Sequence, residues 1–172
     1  HNAKAQYSER ADDYGNNMDR LSKKFDTARG LVPQPEIESR PGAPIGLIAY
    51  GTTDFSIRES RDQLQDERGI ATSYYRLRGY PFGSSLGEFI DQHDRVYLVE
   101  QNRDAQMLAL MRMELGPERL AKIRSVLHYN GLPVDARSIT DQVLAHEGLQ
   151  APIPAALRHR MGGSVPASGA GE

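Results

Sequence analysis

The sequence predicts an α/β fold in which a mostly parallel sheet is covered by helices on both faces. Short apolar runs alternate four times with helix-length segments between residues 45 and 148. Strands separated by helices favour parallel pairing through right-handed crossovers. The chain has 172 residues, of which 38% are hydrophobic, and this suffices for one ordinary core.

Residues 1–44 precede this alternating region, and their sequence predicts an arm, a helix and a linker. Residues 1–12 are polar and without hydrophobic period, which predicts an extended arm. Residues 13–30 predict a helix that ends at Gly30 and has one apolar face, made by Tyr14, Met18, Leu21, Phe25 and Ala28. We expect that face to be exposed and to need a partner surface. Residues 31–44 contain four prolines and predict a linker.

The region 45–148 predicts four strands, each followed by a helix. The strands are rich in apolar and β-branched residues and cover residues 45–50, 70–77, 95–101 and 122–129. The helices cover residues 56–67, 85–93, 104–115 and 138–147.

Polar residues at the expected helix starts predict specific caps. Ser56 is followed three residues later by Glu59, and Ser85 by Glu88, which is the capping-box pattern. Asp104 is the expected cap of the third helix. Beyond the last helix, residues 149–172 are small, polar and rich in glycine, which predicts a flexible tail.

Composition excludes several functional classes. The chain has no Cys, so it supplies no disulfide, thiolate metal ligand or Cys nucleophile. A net charge of −2 and the absence of a long apolar run speak against nucleic-acid and membrane partners. The polar start predicts no secretory leader and a cytoplasmic location, and the missing initiator Met suggests a piece of a longer protein. Dinucleotide, P-loop, nucleophile-elbow and zinc-protease motifs are all absent.

The carboxyl ends of the predicted strands are where a ligand is expected, because parallel α/β sheets bind ligands at that edge. The candidate contact residues there are Gly51, Thr52, Thr53, Asp54, Glu100, Gln101, Asn102, Arg103, His128 and Asn130. The residues after the first strand either hold an anion or cap the next helix. Those after the third strand either bind a ligand or partner or bind each other. His128 is either an acid–base group or a structural histidine. No residue is assigned a catalytic or metal-binding role.

Several runs of the sequence together resemble one enzyme family. They are YGTTDFSIRESRDQL, YYRLRGYPF, EFIDQHDRVYLVEQNRDAQMLALMRMEL and SVLHYNGLPVDARSITDQVL. They resemble the C-terminal part of the alpha subunit of 2-oxoacid:ferredoxin oxidoreductases, most closely the 2-oxoglutarate type. The run YGNNMDRLSKKFDTARGLVPQPEI resembles the segment that joins this part to the preceding pyrimidine-binding domain. The resemblance covers about residues 1–148.

The resemblance implies a transketolase C-terminal-like domain, a three-layer α/β/α sandwich, at residues 45–148. The complete complex of this family converts 2-oxoglutarate, coenzyme A and oxidised ferredoxin into succinyl-CoA, carbon dioxide and reduced ferredoxin. Its thiamine diphosphate, magnesium and iron–sulfur cluster belong to other domains or to the beta subunit. The chain alone is therefore expected to hold no cofactor and to be inactive. Its implied partners are the rest of the alpha subunit, the beta subunit and, through the complex, ferredoxin.

Two other functions fit the residues. The first is a free-standing module that binds an anion or nucleotide at the strand ends, near Gly51 and Asp54. The second is an independent hydrolase that uses His128 and Asp54. The resemblance favours the structural domain over both.

Overall fold

The computed structural model describes residues 1–150, so residues 151–172 of the predicted tail lie outside the described part. Within it, the helices are α1 (Ala11–Arg29), α2 (Thr53–Arg68), α3 (Ser84–Asp91), α4 (Gln106–Arg112), α5 (Pro117–Lys122) and α6 (Ala136–His146). The strands are β1 (Glu36–Glu38), β2 (Ile45–Tyr50), β3 (Thr72–Leu77), β4 (Arg95–Glu100) and β5 (Ile123–Leu127).

The five strands form one sheet in the order β1-β3-β2-β4-β5. Strands β2 to β5 pair in parallel, and only β1 is antiparallel to its neighbour β3. The chain passes from β2 to β3 on one side and then returns to β4 on the other side of β2. The connections leaving β2 and β4 therefore run in opposite directions, and a crevice opens between their carboxyl ends.

Helices cover both faces of the sheet, which confirms the predicted three-layer α/β architecture. On one face, Ile57 and Leu64 of α2 and Val143 of α6 pack against Leu47 and Tyr97 of the sheet. On the other face, Leu86 and Phe89 of α3 and Met111 of α4 pack against Ile48 and Leu98. Alternate side chains of one strand enter different layers because strand side chains alternate between faces.

The proline-rich stretch predicted as a linker contains the short strand β1. Glu36, Ile37 and Glu38 pair with Arg76, Tyr75 and Tyr74 of β3. The outer edge of β3 offers unpaired backbone groups, and three extended residues between prolines satisfy them. A strand this short carries no hydrophobic period, so the sequence pattern could not indicate it.

The two predicted capping boxes do not form. Helix α2 begins at Thr53, three residues before Ser56, because Gly51 at φ +60° turns the chain directly from β2 into the helix. The Ser56 hydroxyl instead donates to the carbonyl of Val134, at 2.6 Å. At the start of α3 the cap is Gly83, without a side-chain bond, and the Ser85 hydroxyl is hydrogen-bonded to Tyr75.

The predicted helix over residues 104–115 is shortened to α4, and α5, which the sequence did not predict, follows it. Asp104 does not cap it. The cap of α4 is Ala105, which has left-handed backbone angles of φ 50° and ψ 50°. Gly116 and Pro117, expected to stop this helix, instead begin α5, since proline is well suited to a first helical position.

The apolar face predicted for the first helix is confirmed, and the described domain leaves it uncovered. None of the residues of α1 is buried, and Tyr14 and Phe25 are 68% and 52% exposed. The helix is attached near its C-terminal end, where Arg29 donates to the carbonyl of Phe82 at 2.8 Å. Among residues 1–150, no helix combines the length and apolar character needed to cross a membrane.

Candidate functional site

The candidate site lies at the crevice between the carboxyl ends of β2 and β4. Its side chains form a strand-end cluster, which we define as Tyr50, Thr52, Thr53, Glu100, Gln101 and Asn102. The crevice brings together residues from two separate runs of the sequence, as predicted from parallel strand order.

Glu100 is the centre of the strand-end cluster and is fully buried. Its Oε2 accepts hydrogen bonds from the backbone N–H of Met107 at 2.7 Å and from the Asn102 amide at 2.9 Å. Its Oε1 accepts from the backbone N–H of Leu108 at 3.2 Å. The Tyr50 hydroxyl is a longer donor, at 3.4 Å. The carboxylate thus satisfies the first N–H groups of α4, where a negative charge is also favoured.

Tyr50 shows the electrostatic effect of this buried carboxylate. Burial, and then the negative charge of Glu100, raise the pKa of the Tyr50 phenol above its ordinary value of 10.0. Tyr50 therefore stays neutral near pH 7 and serves as a hydrogen-bond donor.

Asn102 and Arg103 shape the loop that leads into α4. The Asn102 Oδ1 accepts from the backbone N–H groups of Asp104 at 3.1 Å and Gln106 at 3.2 Å. Arg103 is exposed and pairs with its neighbour Asp104 at 2.8 Å. Both the NH₂ group and the oxygen of the Asn102 amide are therefore bound by the protein itself, whereas the Arg103 side chain is exposed to solvent.

Gln101 joins three loops of the strand ends. Its amide N–H group donates to the hydroxyls of Thr53 at 3.0 Å and Thr52 at 3.3 Å. Its amide oxygen accepts from the backbone N–H of Val134 at 3.3 Å. The hydroxyls of Thr52 and Thr53, which were candidates for anion binding, thus accept hydrogen bonds from Gln101.

His128 and Asn130 hold the turn that follows β5. His128 is buried, and its Nε2 lies 3.0 Å from the carbonyl of Leu132, so this nitrogen carries the proton and donates it. The Asn130 Oδ1 accepts from the backbone N–H of Leu132 at 2.9 Å. Both side chains therefore act on the same turn.

Asp54 contacts side chains of β3 and of its own helix. It is buried and accepts a hydrogen bond from the Tyr74 hydroxyl at 2.9 Å. Arg58 and Arg76 lie 3.4 and 3.6 Å from its carboxylate. Burial, and then the bond to Asp54, raise the pKa of Tyr74. Within residues 1–150 the Asp54 carboxylate is bound by Tyr74 and the His128 Nε2 by the Leu132 carbonyl, so the two side chains are not hydrogen-bonded to each other as the hydrolase hypothesis requires.

Beside the strand-end cluster lies a cavity of about 440 Å³ that the sequence analysis did not identify. It is lined by Tyr50, Gly51, Arg76, Leu77, Arg78, Gly79, Tyr80 and Met107. Arg76 and Arg78 both pair with Glu36 of β1, at 3.1 and 3.2 Å. The run YYRLRGY, with two arginines and a tyrosine at a strand end, was the available signal.

The described residues offer no metal centre. Between residues 1 and 150, no three His, Asp or Glu side chains are grouped so that they could hold a metal ion. The buried carboxylates of Glu100 and Asp54 are both occupied by protein donors. The arrangement therefore supplies fixed loops and a cavity wall, and its two buried carboxylates are held by protein donors.

No protein-family model matches the sequence, and no curated protein matches it. Among solved structures, the chain is similar to 2-oxoglutarate:ferredoxin oxidoreductase from Magnetococcus marinus, a structure with 2-oxoglutarate, coenzyme A and succinyl-CoA bound. The TM-score is 0.72 at 20% identity, over 84% of this chain and 25% of the other. This chain thus spans about a quarter of the length of that oxidoreductase chain.

Two further structures are similar. A split-gene transketolase, described as an inactive beta4 tetramer, has a TM-score of 0.53 at 16% identity, over 69% of this chain and 42% of the other. The alpha chain of a probable 2-oxoacid ferredoxin oxidoreductase from Thermoplasma acidophilum has 18% identity over 67% of this chain and 97% of the other. Its TM-score of 0.44 is too low to compare folds.

These similarities define the class of the domain. The chain has an α/β fold of the transketolase C-terminal-like type. The structures that share this fold include a 2-oxoglutarate:ferredoxin oxidoreductase, which belongs to the family that the sequence runs resemble.

Proposed function

We propose that the chain is a non-catalytic structural and assembly domain of a 2-oxoacid:ferredoxin oxidoreductase alpha subunit, of the 2-oxoglutarate type. One observation carries this proposal. The polar side chains at the strand ends bind the protein's own loops, while a 19-residue helix presents an uncovered apolar face. The sequence resemblance and the shared fold support the choice of family.

The way the candidate residues are used supports a non-catalytic role. A general base needs a free lone pair within reach of a substrate proton. The Glu100 oxygens accept from backbone N–H groups, and the Nε2 of His128 donates to the carbonyl of Leu132. The Nδ1 of His128 keeps a lone pair, but the ring is buried. Removing either group from its partner would leave a buried polar group unpaired, which opposes any exchange for a substrate.

The cofactors of the complete complex do not fit the residues described. Thiamine diphosphate needs magnesium, and magnesium prefers carboxylate and carbonyl oxygen ligands. The two buried strand-end carboxylates, Glu100 and Asp54, already accept from protein donors. In the proposed complex, thiamine diphosphate, magnesium and the iron–sulfur cluster are held by other domains and by the beta subunit.

Reconstitution tests the proposal. The remainder of the alpha subunit and the beta subunit are assayed for reduction of a viologen dye that depends on 2-oxoglutarate and coenzyme A. We expect activity only when this chain is present, either fused or added. The matched variant Arg103→Ala, which removes an exposed candidate side chain, should restore activity as well as the wild type. Failure of this chain to associate with either component, or equal activity without it, would refute the proposal.

The cavity beside β3 supports a second candidate, a free-standing module that binds an anion or nucleotide. Its volume of about 440 Å³ lies within the range of small-ligand pockets, and its wall combines two tyrosines with two arginines. Coenzyme A or ATP should then raise the melting temperature of the wild type but much less that of Arg78→Gln. An unchanged melting temperature at saturating ligand would eliminate this candidate.

A further inference from the structure

We propose that α1 pairs with α1 of a second copy of the chain as an antiparallel two-helix coiled coil. This inference shares one premise with the assembly role proposed above, namely that the apolar face of α1 is a contact surface. It goes further by naming the occupant of that surface and the direction of the pairing.

The apolar residues of α1 follow a strict seven-residue repeat. They are Ala11, Tyr14, Met18, Leu21, Phe25 and Ala28, at spacings of three, four, three, four and three. Apolar residues at only these two positions of each heptad make the narrow seam of a coiled coil. A helix that packs on the core of its own domain usually has a broader apolar face.

The order of residue sizes along the seam is the same from either end. Small alanines stand at both ends, aromatic rings come next, and Met18 and Leu21 occupy the middle. In an antiparallel pair, the residue at the first apolar position of a heptad faces the second apolar position of the other helix. Tyr14 then faces Phe25 of the second copy, and Met18 faces Leu21 of the second copy. Such a self-complementary surface is what a two-fold dimer requires.

Charge also favours the antiparallel direction. Residues 11–19 carry Asp12, Asp13 and Asp19 and no basic residue, which gives a net charge of −3. Residues 20–29 carry Arg20, Lys23, Lys24, Arg29 and Asp26, which gives a net charge of +3. Antiparallel pairing places each acidic half beside a basic half. Parallel pairing would place like charges together.

The described domain leaves the seam available. Tyr14, Met18, Leu21 and Phe25 are exposed, and Ala28 at the end of the seam is half-buried. A helix of 19 residues is about 28 Å long, so two copies bury less area than a typical stable interface. The expected dimer is therefore weak, with a dissociation constant of about 1 μM or higher.

Cross-linking tests the direction of pairing, and the absence of native Cys makes it specific. Chains carrying Ala11→Cys and Ala28→Cys are oxidised separately and as a mixture. We expect a disulfide-linked dimer from the mixture and little from either variant alone. Cross-links within each single variant and none between variants would indicate parallel pairing and overturn the proposal. No cross-link in any sample would overturn it as well.

Sedimentation over a concentration series tests the seam itself. Leu21→Asp should abolish the dimer, and the matched variant Asn16→Asp, on the opposite side of α1, should retain it. Both positions are exposed, so neither change disturbs the buried core. If the wild type stays monomeric throughout, self-pairing is refuted. The reconstitution assay is separate, since a chain that restores activity without self-pairing refutes only this inference. A chain that self-pairs without restoring activity refutes only the proposed function.

Discussion

The substitution Glu100→Gln examines the role of the buried carboxylate with almost no change of shape. Glu100 presents two oxygens to its donors, whereas glutamine has one oxygen and one NH₂ group. If the amide oxygen takes the place of Oε2, it keeps the bonds from Asn102 and Met107. The NH₂ group then faces the N–H of Leu108, which loses its acceptor.

The expected cost has two parts. An unpaired buried donor costs about 1–3 kcal/mol. Losing a negative charge at the start of a helix costs about 0.3–1 kcal/mol more. The free energy of unfolding should therefore fall by about 1–4 kcal/mol, a large part of the usual stability of a domain.

Urea unfolding measures this effect. With an ordinary slope, the midpoint for Glu100→Gln should move down by about 1 M with the slope unchanged. The control is Glu118→Gln, an exposed residue in the first turn of α5, which should leave the midpoint near the wild-type value. If the two variants behave alike, Glu100 does not hold α4. The assignment of its carboxylate to the loop before α4 would then be wrong, and the proposed function would lose that support.

Three other perturbations have defined outcomes. Ala105→Gly should raise the free energy of unfolding by about 0.5 kcal/mol or more, because glycine adopts the φ of 50° without steric cost; a lower urea midpoint would contradict this. Gly46→Ala should lower it by about 1–3 kcal/mol, since a Cβ there would lie 2.7 Å from the Phe89 ring; an unchanged melting temperature would show that the ring moves freely. The hydrogen bond from Arg61 lowers the pKa of Glu38 below its ordinary 4.5, so the stability from this pair is complete above that pH and is lost as the pH falls through the lowered pKa. Glu38→Gln should therefore flatten the loss of stability in acid, and an identical pH profile would refute this assignment.

The sequence by itself determined the layer architecture. The apolar runs of β2 and β4 are buried on both sides, so their composition indicated strands covered by helices. The spacing of Tyr14 and Phe25 likewise indicated a one-sided helix, because a helix brings residues three and four apart onto one face. Strand composition and helical spacing are local properties, because the residues that define them are close together in the sequence.

The contacts of individual polar side chains were decided only by the tertiary structure. Ser56 had the sequence pattern of a cap but donates to Val134, which is 78 residues away along the chain. Strand β1 exists because β3 has an open edge, and no property of residues 36–38 alone predicts that. The candidate residues Glu100 and Gln101 were located correctly at the strand ends, but sequence could not tell whether they face a ligand or their own loops. That choice depends on which backbone N–H groups lack a partner once helices and strands have packed.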